Sequence, residues 1–388
     1  MAQYTNLYTI ILSLLNNKCK GCSQGKVLTF FRRGKINIDK TSLILYYGIM
    51  LFSARCCMKK ILLITTGGTI SCGSGTLSLS PALYGKELLN FISIENEVSI
   101  ECSDLLFIDS TSVKPQHWEL IAKEITDKAD IYDGFVITHG TDTLAYTAAM
   151  LSFLLCRINK PIIITGSQKT MFEENSDAQT NLSNAIKAAC CDIAGVYILF
   201  GTRIIYGTRG YKEETGISDG FISANRKYAG RIKDGKVNFF CESRSALFID
   251  DLPLITDAKL KAKVASVNIT PGDDGTIIKQ CADCGYDGIV LCAYGTGGLP
   301  DKEWENAVEY AAQKGVLLVM TSQCRHGVII PSRYAVASGI ERLGIIPACD
   351  MTLESAYCKL LWLLSVSKDK ESTRRLFTMN ICGEIGTL

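Results

Sequence analysis

Short apolar runs alternate with amphipathic segments along most of the chain. Residues 60–64 (KILLI) and 134–138 (GFVIT) are dominated by aliphatic side chains, a composition typical of strands that are buried on both faces of a parallel sheet. Helical periodicity between such runs predicts helices at 117–130, 144–156 and 177–191. From residue 58 to about residue 225 the alternation therefore predicts a parallel sheet with helices on both faces.

A second alternation begins after a more polar stretch. Residues 227–263 are richer in charge and only weakly periodic, which predicts a hairpin followed by an interdomain linker. Beyond it, strands are predicted at 263–269, 289–294 and 316–321, and helices at 301–314, 352–365 and 372–380. The predicted fold class is α/β, with a larger N-terminal parallel-sheet domain of the Rossmann or flavodoxin type (58–247), a linker (248–262) and a smaller C-terminal α/β domain (263–388).

Residues 1–57 do not share this pattern. Their apolar runs, 7–15 and 43–52, are shorter than the roughly 18 residues that span a bilayer, and neither is followed by a small-residue cleavage pattern. Basic residues ahead of the second run do imitate a signal peptide, but residues 58–60 (MKK), directly before the first strand, are typical of a natural start. We therefore expect 1–57 to lie outside the core fold as upstream sequence, with a signal peptide as the alternative.

The composition fits a globular enzyme. The 388 residues are 47% hydrophobic and 21% charged, and a formal net charge of +2 shows no basic excess that would suggest a nucleic-acid partner. The 17 cysteines are odd in number and some fall in apolar runs, which favours buried free thiols and a reducing cytosol, with an oxidising compartment and partial pairing as the alternative. Two CxxC pairs, Cys19 with Cys22 and Cys281 with Cys284, have no histidine nearby, so no metal site is expected.

Motifs of other enzyme classes are absent or lack their structural context. No G-x-G-x-x-G follows a strand and no G-x-x-x-x-G-K-[ST] occurs, so dinucleotide and nucleoside-triphosphate functions lose their main support. Residues 216–220 match G-x-S-x-G, but the residues before them are too polar for the strand of a nucleophile elbow, and we expect a plain turn. His139 is expected to make structural hydrogen bonds.

Two polar turns follow the two clearest strands. Residues 65–70 (TTGGTI) come directly after the first strand, and residues 139–143 (HGTDT) come after the second. Because ligands bind beyond the carboxyl ends of the strands in open α/β sheets, we expect both turns to face one crevice. Gly67 and Gly68 permit a sharp turn that presents Thr69 with exposed backbone N–H groups beside it.

Thr69 is the candidate nucleophile. A neutral threonine hydroxyl reacts poorly near neutral pH and needs a proton-accepting relay, for which Thr141, Asp142 and a lysine elsewhere in the fold are candidates. Freed N–H groups of the turns would stabilise a developing oxyanion. Either turn alone could simply reverse the chain direction, and this is the alternative interpretation. Two such turns with matching threonine content favour a catalytic role.

The pair TTGGTI and HGTDT resembles the two signature turns of bacterial-type L-asparaginases, and the likeness to their cytosolic type I branch extends from Met58 to the C-terminus. Several independent blocks in the order of one family make the resemblance specific, and it implies the same arrangement of two α/β domains. The further blocks are 108–111 (IDST), 132–138 (YDGFVIT), 160–168 (KPIIITGSQ), 177–181 (DAQTN) and 349–354 (CDMTLE).

The resemblance implies catalytic roles for four residues. Thr69 corresponds to the nucleophile that attacks a side-chain amide, forms a β-aspartyl ester and releases ammonia, after which water hydrolyses the ester. Thr141 with Lys212, in the segment 208–212 (TRGYK), corresponds to the proton-transfer pair. Asp142 corresponds to the carboxylate beside them.

The resemblance also implies how the substrate is held. Asp142 corresponds to the residue that pairs with the α-ammonium group of the substrate, and Ser110 and Thr111 correspond to those that hold its α-carboxylate. Such contacts make chemical sense, because a small zwitterion offers little apolar surface and must be oriented by charge-assisted hydrogen bonds.

Two positions depart from the family pattern. Many members carry a tyrosine that touches the nucleophile in the loop after the first turn, whereas residues 71–80 contain none; Thr76 stands near that position and Tyr84 lies just beyond it. The resemblance therefore does not say which group polarises Thr69. Gly298 replaces an asparagine that in some relatives reaches the substrate of a neighbouring subunit, so we expect that contact to be absent.

The resemblance implies a cytoplasmic L-asparaginase that self-associates into a dimer or tetramer, uses no metal or organic cofactor, and has no nucleic-acid or membrane partner. Three alternatives stay open. An asparaginase-like tRNA amidotransferase subunit usually adds an N-terminal β-barrel, for which residues 1–57 are too short. A non-catalytic amino-acid-binding relative is supported only by the missing tyrosine. An amidohydrolase that leans toward glutamine is compatible with these residues, since one methylene changes discrimination by only about 1–3 kcal/mol.

Overall fold

The computed structural model describes residues 58–73, 82–240, 259–330 and 338–386, and the chain from Lys59 onward forms one compact unit. The predicted N-terminal extension at 1–57 and most of the predicted linker at 248–262 lie outside the described residues. Within the described part of the chain, no helix has the length and apolar character needed to cross a membrane.

The described residues form fourteen β-strands, most of them short. In chain order they are β1 (Lys59–Gly67), β2 (Val98–Ile108), β3 (Gly134–Thr138), β4 (Pro161–Thr165), β5 (Gly195–Phe200), β6 (Arg203–Tyr206), β7 (Gly210–Lys212), β8 (Phe221–Ser223), β9 (Gly230–Lys233), β10 (Lys236–Phe239), β11 (Val264–Asn268), β12 (Gly288–Ala293), β13 (Leu317–Ser322) and β14 (Ile346–Pro347).

The α-helices of the described residues include every helix that the periodicity predicts, with ends that differ by no more than three residues. They are α1 (Gly85–Leu89), α2 (Pro115–Lys128), α3 (Leu144–Leu154), α4 (Ala178–Ala189), α5 (Thr276–Asp283), α6 (Lys302–Gln313), α7 (Ser338–Arg342), α8 (Leu353–Val366) and α9 (Lys370–Phe377).

The large sheet has eight strands in the order β10-β9-β6-β5-β4-β3-β1-β2. Strands β5, β4, β3, β1 and β2 are parallel, as the alternation of strands and helices between 58 and 225 predicts, but β6, β9 and β10 join antiparallel. Only two residues separate β5 from β6, with Gly201 in the left-handed conformation (φ 57°), and so short a link permits only an antiparallel pair. The sheet is therefore mostly, not wholly, parallel, and β9 with β10 is the hairpin predicted within 227–263.

The small sheet, in the order β11-β12-β13-β14, is parallel throughout. All six residues of β12 are buried, and Ile278 of α5 and Trp304 of α6 belong to the core beside it. The predicted fold class is confirmed: a larger N-terminal α/β domain with a mostly parallel sheet precedes a smaller one with a parallel sheet.

One hydrophobic core joins the two sheets. Helix α8 packs on α3, where the rings of Phe153 and Trp362 stack with centroids 5.4 Å apart, and both side chains are fully buried. The thiol of Cys358 also contacts the carbonyl oxygen of Tyr146 at 3.3 Å. This packing holds the C-terminal part of the chain against the part that carries the predicted catalytic turns.

Candidate active site

The turn after β1 requires two glycines. Gly67 (φ 103°) ends the strand, Gly68 (φ 78°) follows, and Thr69 begins a single 3₁₀ turn over Thr69–Ser71. A Cβ at Gly67 would lie 2.3 Å from the carbonyl oxygen of Ile108, so a side chain has no room there. Because both backbone conformations are closed to most residues with a Cβ, this sequence folds into a tight turn with a half-buried Thr69 at its tip.

The turn after β1 touches the turn after β3. Thr65 pairs with Thr138 in the parallel register, so both strands end at the same edge of the sheet. A Cβ at Gly68 would lie 2.4 Å from the Cα of Gly140, and one at Gly140 would lie 2.6 Å from Ser110 Oγ. The three segments that the sequence singles out thus meet at one point of this edge.

Lys212 reaches these turns from a separate hairpin. It is the last residue of β7, which pairs antiparallel with β8. Its Nζ donates hydrogen bonds to Thr141 Oγ1 at 2.8 Å and to Asp142 Oδ1 at 2.6 Å. Thr141 is buried, whereas 56% of the Asp142 side chain is exposed. Because Thr141 Oγ1 accepts from the ammonium group, its own hydroxyl proton is free to point to another acceptor.

His139 forms hydrogen bonds that hold the second turn in place. Its Nδ1 is 2.8 Å from the carbonyl oxygen of Gly140, its Nε2 is 2.9 Å from Thr147 Oγ1, and Trp118 Nε1 donates to the same hydroxyl. Because a carbonyl only accepts, Nδ1 carries the proton and Nε2 accepts from Thr147. Burial lowers the pKa of His139 to about 4, so the ring is neutral at pH 7 and makes the structural hydrogen bonds that the sequence predicts.

Ser110 and Thr111, the residues predicted to bind a carboxylate, have different surroundings. They follow β2 in a 3₁₀ turn for which Asp109 is the N-cap. Ser110 is buried, and its carbonyl oxygen accepts a hydrogen bond from Thr143 Oγ1 at 2.7 Å. Thr111 is exposed, and its N–H and hydroxyl both donate to Asp109 Oδ1, which lowers the pKa of that carboxyl. The hydroxyl proton of Thr111 is therefore used within its own turn.

Two backbone N–H groups at this edge are not bonded by any described residue. Within the described residues, the N–H groups of Thr69 and Thr141 have no hydrogen-bond acceptor. The carbonyl of Gly140 is turned toward the His139 ring, so the N–H of Thr141, on the other side of the same planar peptide, points away from it. Donors of this kind stabilise an oxyanion that develops next to them.

The positions that depart from the family pattern are only partly described. Residues 74–81, which include Thr76, lie outside the described residues. Tyr84 precedes α1, is 55% exposed, and packs edge-on against Phe107 of β2 with ring centroids 4.9 Å apart. Gly298 has a positive φ of 128°, a conformation that an asparagine side chain would strain.

The cysteines of the described residues are free thiols. Burial raises the pKa of Cys190 and of Cys292 to about 11, so both thiols are protonated at neutral pH. Across residues 58–73, 82–240, 259–330 and 338–386, no group of three or more histidine, cysteine, aspartate or glutamate side chains is placed to hold a metal ion.

Two family models match the chain in sequence order. Residues 60–245 match the N-terminal asparaginase model, and residues 263–377 match the glutaminase/asparaginase C-terminal domain. The first match spans the strands of the large sheet and the second those of the small sheet. The chain belongs to the asparaginase family.

Relatives include both asparaginases and amidotransferase subunits. An L-asparaginase of Thermococcus kodakarensis is 36% identical over 331 residues, which are 84% of this chain and 99% of that protein. A glutamyl-tRNA(Gln) amidotransferase subunit of Pyrococcus horikoshii is 35% identical over 342 residues, 84% of this chain and 76% of that protein. The solved structure of the thermostable T. kodakarensis L-asparaginase matches with a TM-score of 0.77 and 34% identity, over 85% of this chain and 100% of that one.

Sequence reasoning misses two residues next to the site. Arg209 is fully buried three positions before Lys212, and its Nη1 lies 2.9 Å from Asp350 Oδ2. Arg209 falls inside the segment TRGYK that contains Lys212, and Asp350 falls inside the block CDMTLE that carries the family resemblance. A buried arginine needs an acidic partner, but nothing in the sequence indicates which carboxylate supplies it.

Proposed function

We propose that the chain is an L-asparaginase, which hydrolyses the side-chain amide of L-asparagine to give L-aspartate and ammonia. The observation that carries this proposal is the contact of Lys212 Nζ with Thr141 Oγ1 (2.8 Å) and Asp142 Oδ1 (2.6 Å), next to the close approach of Gly68 and Gly140. A lysine ammonium bonded to a threonine hydroxyl, beside a second threonine at a turn tip, provides a proton relay and a nucleophile.

Thr69 is the proposed nucleophile of the first step. Its Oγ attacks the carbon of the substrate amide and gives its proton to Thr141 Oγ1, while Thr141 passes its own hydroxyl proton to the leaving nitrogen and the Lys212 ammonium group stays bonded to Thr141. The C–N bond then breaks and ammonia leaves. What stays on the enzyme is an ester between the Thr69 oxygen and the β-carboxyl group of aspartate.

Water completes the reaction in a second step. It attacks the ester carbon and gives one proton to Thr141 Oγ1, which stays bonded to the Lys212 ammonium group, and the C–O bond to Thr69 breaks. The relay returns a proton to the Thr69 oxygen, and L-aspartate leaves. In both steps negative charge develops on the carbonyl oxygen, where the open N–H groups of Thr69 and Thr141 are available as donors.

Substrate binding is proposed to use charge at both ends of the amino acid. Asp142 pairs with Lys212 through Oδ1, and its exposed side chain leaves the second oxygen for the α-ammonium group. Ser110 and Thr111 are proposed to hold the α-carboxylate. Because the Thr111 hydroxyl already donates to Asp109, we assign the larger share of this contact to Ser110.

Three wider properties are part of the proposal and rest on the family resemblance. They are a cytoplasmic location, self-association into a dimer or tetramer, and catalysis by side chains and backbone with no cofactor. L-asparagine is the proposed small-molecule partner.

An amidotransferase subunit is the second candidate function, because a relative with that name is nearly as similar to this chain as the L-asparaginase is. The two functions differ in what the isolated chain does. An L-asparaginase releases ammonia from free L-asparagine without any other protein, whereas a protein that acts only within an amidotransferase complex does not.

The test is ammonia release by the full chain from L-asparagine, L-glutamine and D-asparagine. We expect turnover to be fastest with L-asparagine, and Thr69→Ala to lower kcat by at least about a thousandfold, because the nucleophile and its relay act as one unit. Thr378→Ala, on an exposed residue after α9, is the matched control and should keep wild-type turnover.

Two outcomes would contradict the proposal. Wild-type turnover by Thr69→Ala would remove Thr69 from the mechanism. Absence of ammonia release from every substrate would favour the amidotransferase or amino-acid-binding alternatives.

A further inference from the structure

The hairpin that carries Lys212 is too short to hold its own position. Strands β7 (Gly210–Lys212) and β8 (Phe221–Ser223) form a separate two-stranded sheet of three residues each. An isolated two-stranded hairpin is marginally stable at best, so neighbouring groups must hold it in place. One group of the large sheet does so at β8, where Arg203 Nη1 donates to the carbonyl oxygen of Phe221 at 3.0 Å. Further groups come from the C-terminal part of the chain.

Arg209 anchors the start of β7. It is fully buried, and its Nη1 donates to the carbonyl oxygen of Asp350 at 3.0 Å and to Asp350 Oδ2 at 2.9 Å. Its Nε donates to the carbonyl oxygen of Gly383 at 2.9 Å. A planar guanidinium with acceptors on two sides is held in one orientation, which fixes the backbone just before the strand that ends at Lys212.

Asn225 anchors the end of β8 to the same point. Its Nδ2 donates to the carbonyl oxygen of Asp350 at 2.9 Å and to that of Gly327 at 3.1 Å. The N–H of Gly327 donates back to Asn225 Oδ1 at 2.9 Å. A single carbonyl, that of Asp350, thus accepts hydrogen bonds from both ends of the hairpin.

The chain terminus holds Asp350 in turn. The N–H of Gly386 donates to Asp350 Oδ1 at 2.9 Å, and a Cβ at Gly386 would lie 2.6 Å from Asp350 Oδ2. The same terminal segment is fastened by an ion pair between Lys359 and Glu384, 2.6 Å long and fully buried at both side chains. Asp350 therefore has little freedom to move.

Arg325 holds the hairpin beyond Lys212. Its guanidinium forms an ion pair with Glu213 and lies 4.7 Å from the centre of the Tyr211 ring. Tyr211 and Glu213 are the two chain neighbours of Lys212. Contacts from the C-terminal part of the chain thus flank Lys212 on both sides.

We propose that Arg209 is a positioning residue, which acts through its pair with Asp350 to set where Lys212 Nζ lies relative to Thr141 and Asp142. The inference rests on the proposed function, because it assigns Arg209 to the same proton relay. The C-terminal domain then does more than stabilise the fold: it determines the geometry of a relay built on the N-terminal domain.

The test compares Arg209→Lys with the wild-type full chain. Lysine keeps the positive charge but lacks the planar guanidinium group that donates to Asp350 and Gly383 at the same time. The backbone at the start of β7 is then no longer held in one position. We expect kcat for L-asparagine to fall between about tenfold and about a hundredfold while KM changes less than about threefold. The pH–rate profile should move by about half a pH unit or more, because a displaced Lys212 alters proton transfer.

A second variant covers the case in which Arg209→Lys does not fold. Asn225→Gly removes the other tie to Asp350 and suits the left-handed backbone at that position (φ 56°). We expect kcat to fall about threefold to tenfold with the same change in the pH–rate profile. Val308→Ala is the control. Val308 is fully buried in α6 within the core of the small sheet, so its replacement should lower Tm and leave kcat unchanged.

A crystal structure of each variant supplies a readout that does not depend on turnover. The distance from Lys212 Nζ to Thr141 Oγ1 should exceed about 3.5 Å, the limit of a hydrogen bond. An unchanged distance, a kcat within about twofold of wild type, or a loss of kcat without a change in the pH–rate profile would overturn the inference. Absence of turnover by the wild-type chain would instead defeat the proposed function, so the two failures are distinguishable.

Discussion

Parallel strands of the large and the small sheet end in polar turns, yet the side chains of these turns have different hydrogen-bond partners. At the large sheet, Lys212 contacts Thr141 and Asp142, so functional groups meet one another. At the small sheet, Ser322 Oγ donates to a backbone carbonyl in the turn after β12, and Gln323 Nε2 donates to two backbone carbonyls at 2.7 and 2.8 Å. The polar side chains at the end of β13 therefore satisfy backbone carbonyls at or just beyond the ends of β11 and β12.

The difference comes from an added element. The β7–β8 hairpin brings a lysine to the large edge from outside the parallel strands. A parallel sheet provides a crevice at the ends of its strands, but the fold alone does not supply the chemistry. Lys212 brings a cation from another element to the polar turns of the large sheet, where we propose that it completes a proton relay.

Removing the Lys212 ammonium group should give the largest difference in kcat between a substitution at the large edge and one at the small edge. Lys212→Met keeps most of the side-chain volume but loses the ammonium group, and we expect kcat to fall at least about a thousandfold. Gln323→Ala should keep kcat within about twofold while Tm falls, because its hydrogen bonds to the carbonyl oxygens of Ile269 and Cys292 are lost at about 1 kcal/mol each. Ammonia release and thermal unfolding measure the two effects. Similar losses of kcat in Lys212→Met and Gln323→Ala would contradict a functional difference between the two edges.

The close approach of the turns is tested by matched glycine substitutions. Gly68→Ala places a Cβ 2.4 Å from the backbone of Gly140 and forces alanine to φ 78°, so we expect the free energy of unfolding to fall by about 4 kcal/mol. Gly295→Ala, in the turn after β12, meets nothing within 4 Å and should cost about 1–2 kcal/mol for its φ of 50°. Urea unfolding compares them, and equal costs would contradict the contact.

The buried histidine beneath the large edge should make stability depend on pH. Between pH 6.5 and pH 4 the unfolded chain binds a proton that native His139, with a pKa of about 4, does not, so the free energy of unfolding falls as the pH falls. The difference between the two pKa values corresponds to about 3 kcal/mol at pH 4. His139→Asn keeps a donor for the Gly140 carbonyl but does not titrate, and should flatten this slope.

The control for that experiment is a histidine of the small edge. His326 lies on the exposed segment after β13, and His326→Asn removes a histidine without touching the buried chain of hydrogen bonds. Urea unfolding at several pH values gives the slopes. An equally steep acid slope in wild type and His139→Asn would contradict a neutral, buried ring.

Most of the regular structure could be predicted from local pattern. Strands and helices with a strong period were predicted to within a few residues, because burial on one or both faces leaves a repeat in the sequence. The antiparallel strand β6 was not predicted, and β9 with β10 was predicted only as a hairpin within 227–263, since a sheet edge depends on short turns and on pairing partners. The pairing of Arg209 with Asp350 left no local signal at all.

The sequence by itself determined the elements, the two glycine turns and the residue types of the relay, because periodicity and backbone conformation depend on near neighbours. Only the tertiary structure decided which residues meet: Lys212 and Thr141 are 71 positions apart, and Arg209 and Asp350 are 141 apart. Contacts over such separations depend on how helices and sheets pack, and the packing energy is shared among many side chains rather than encoded at the residues that touch.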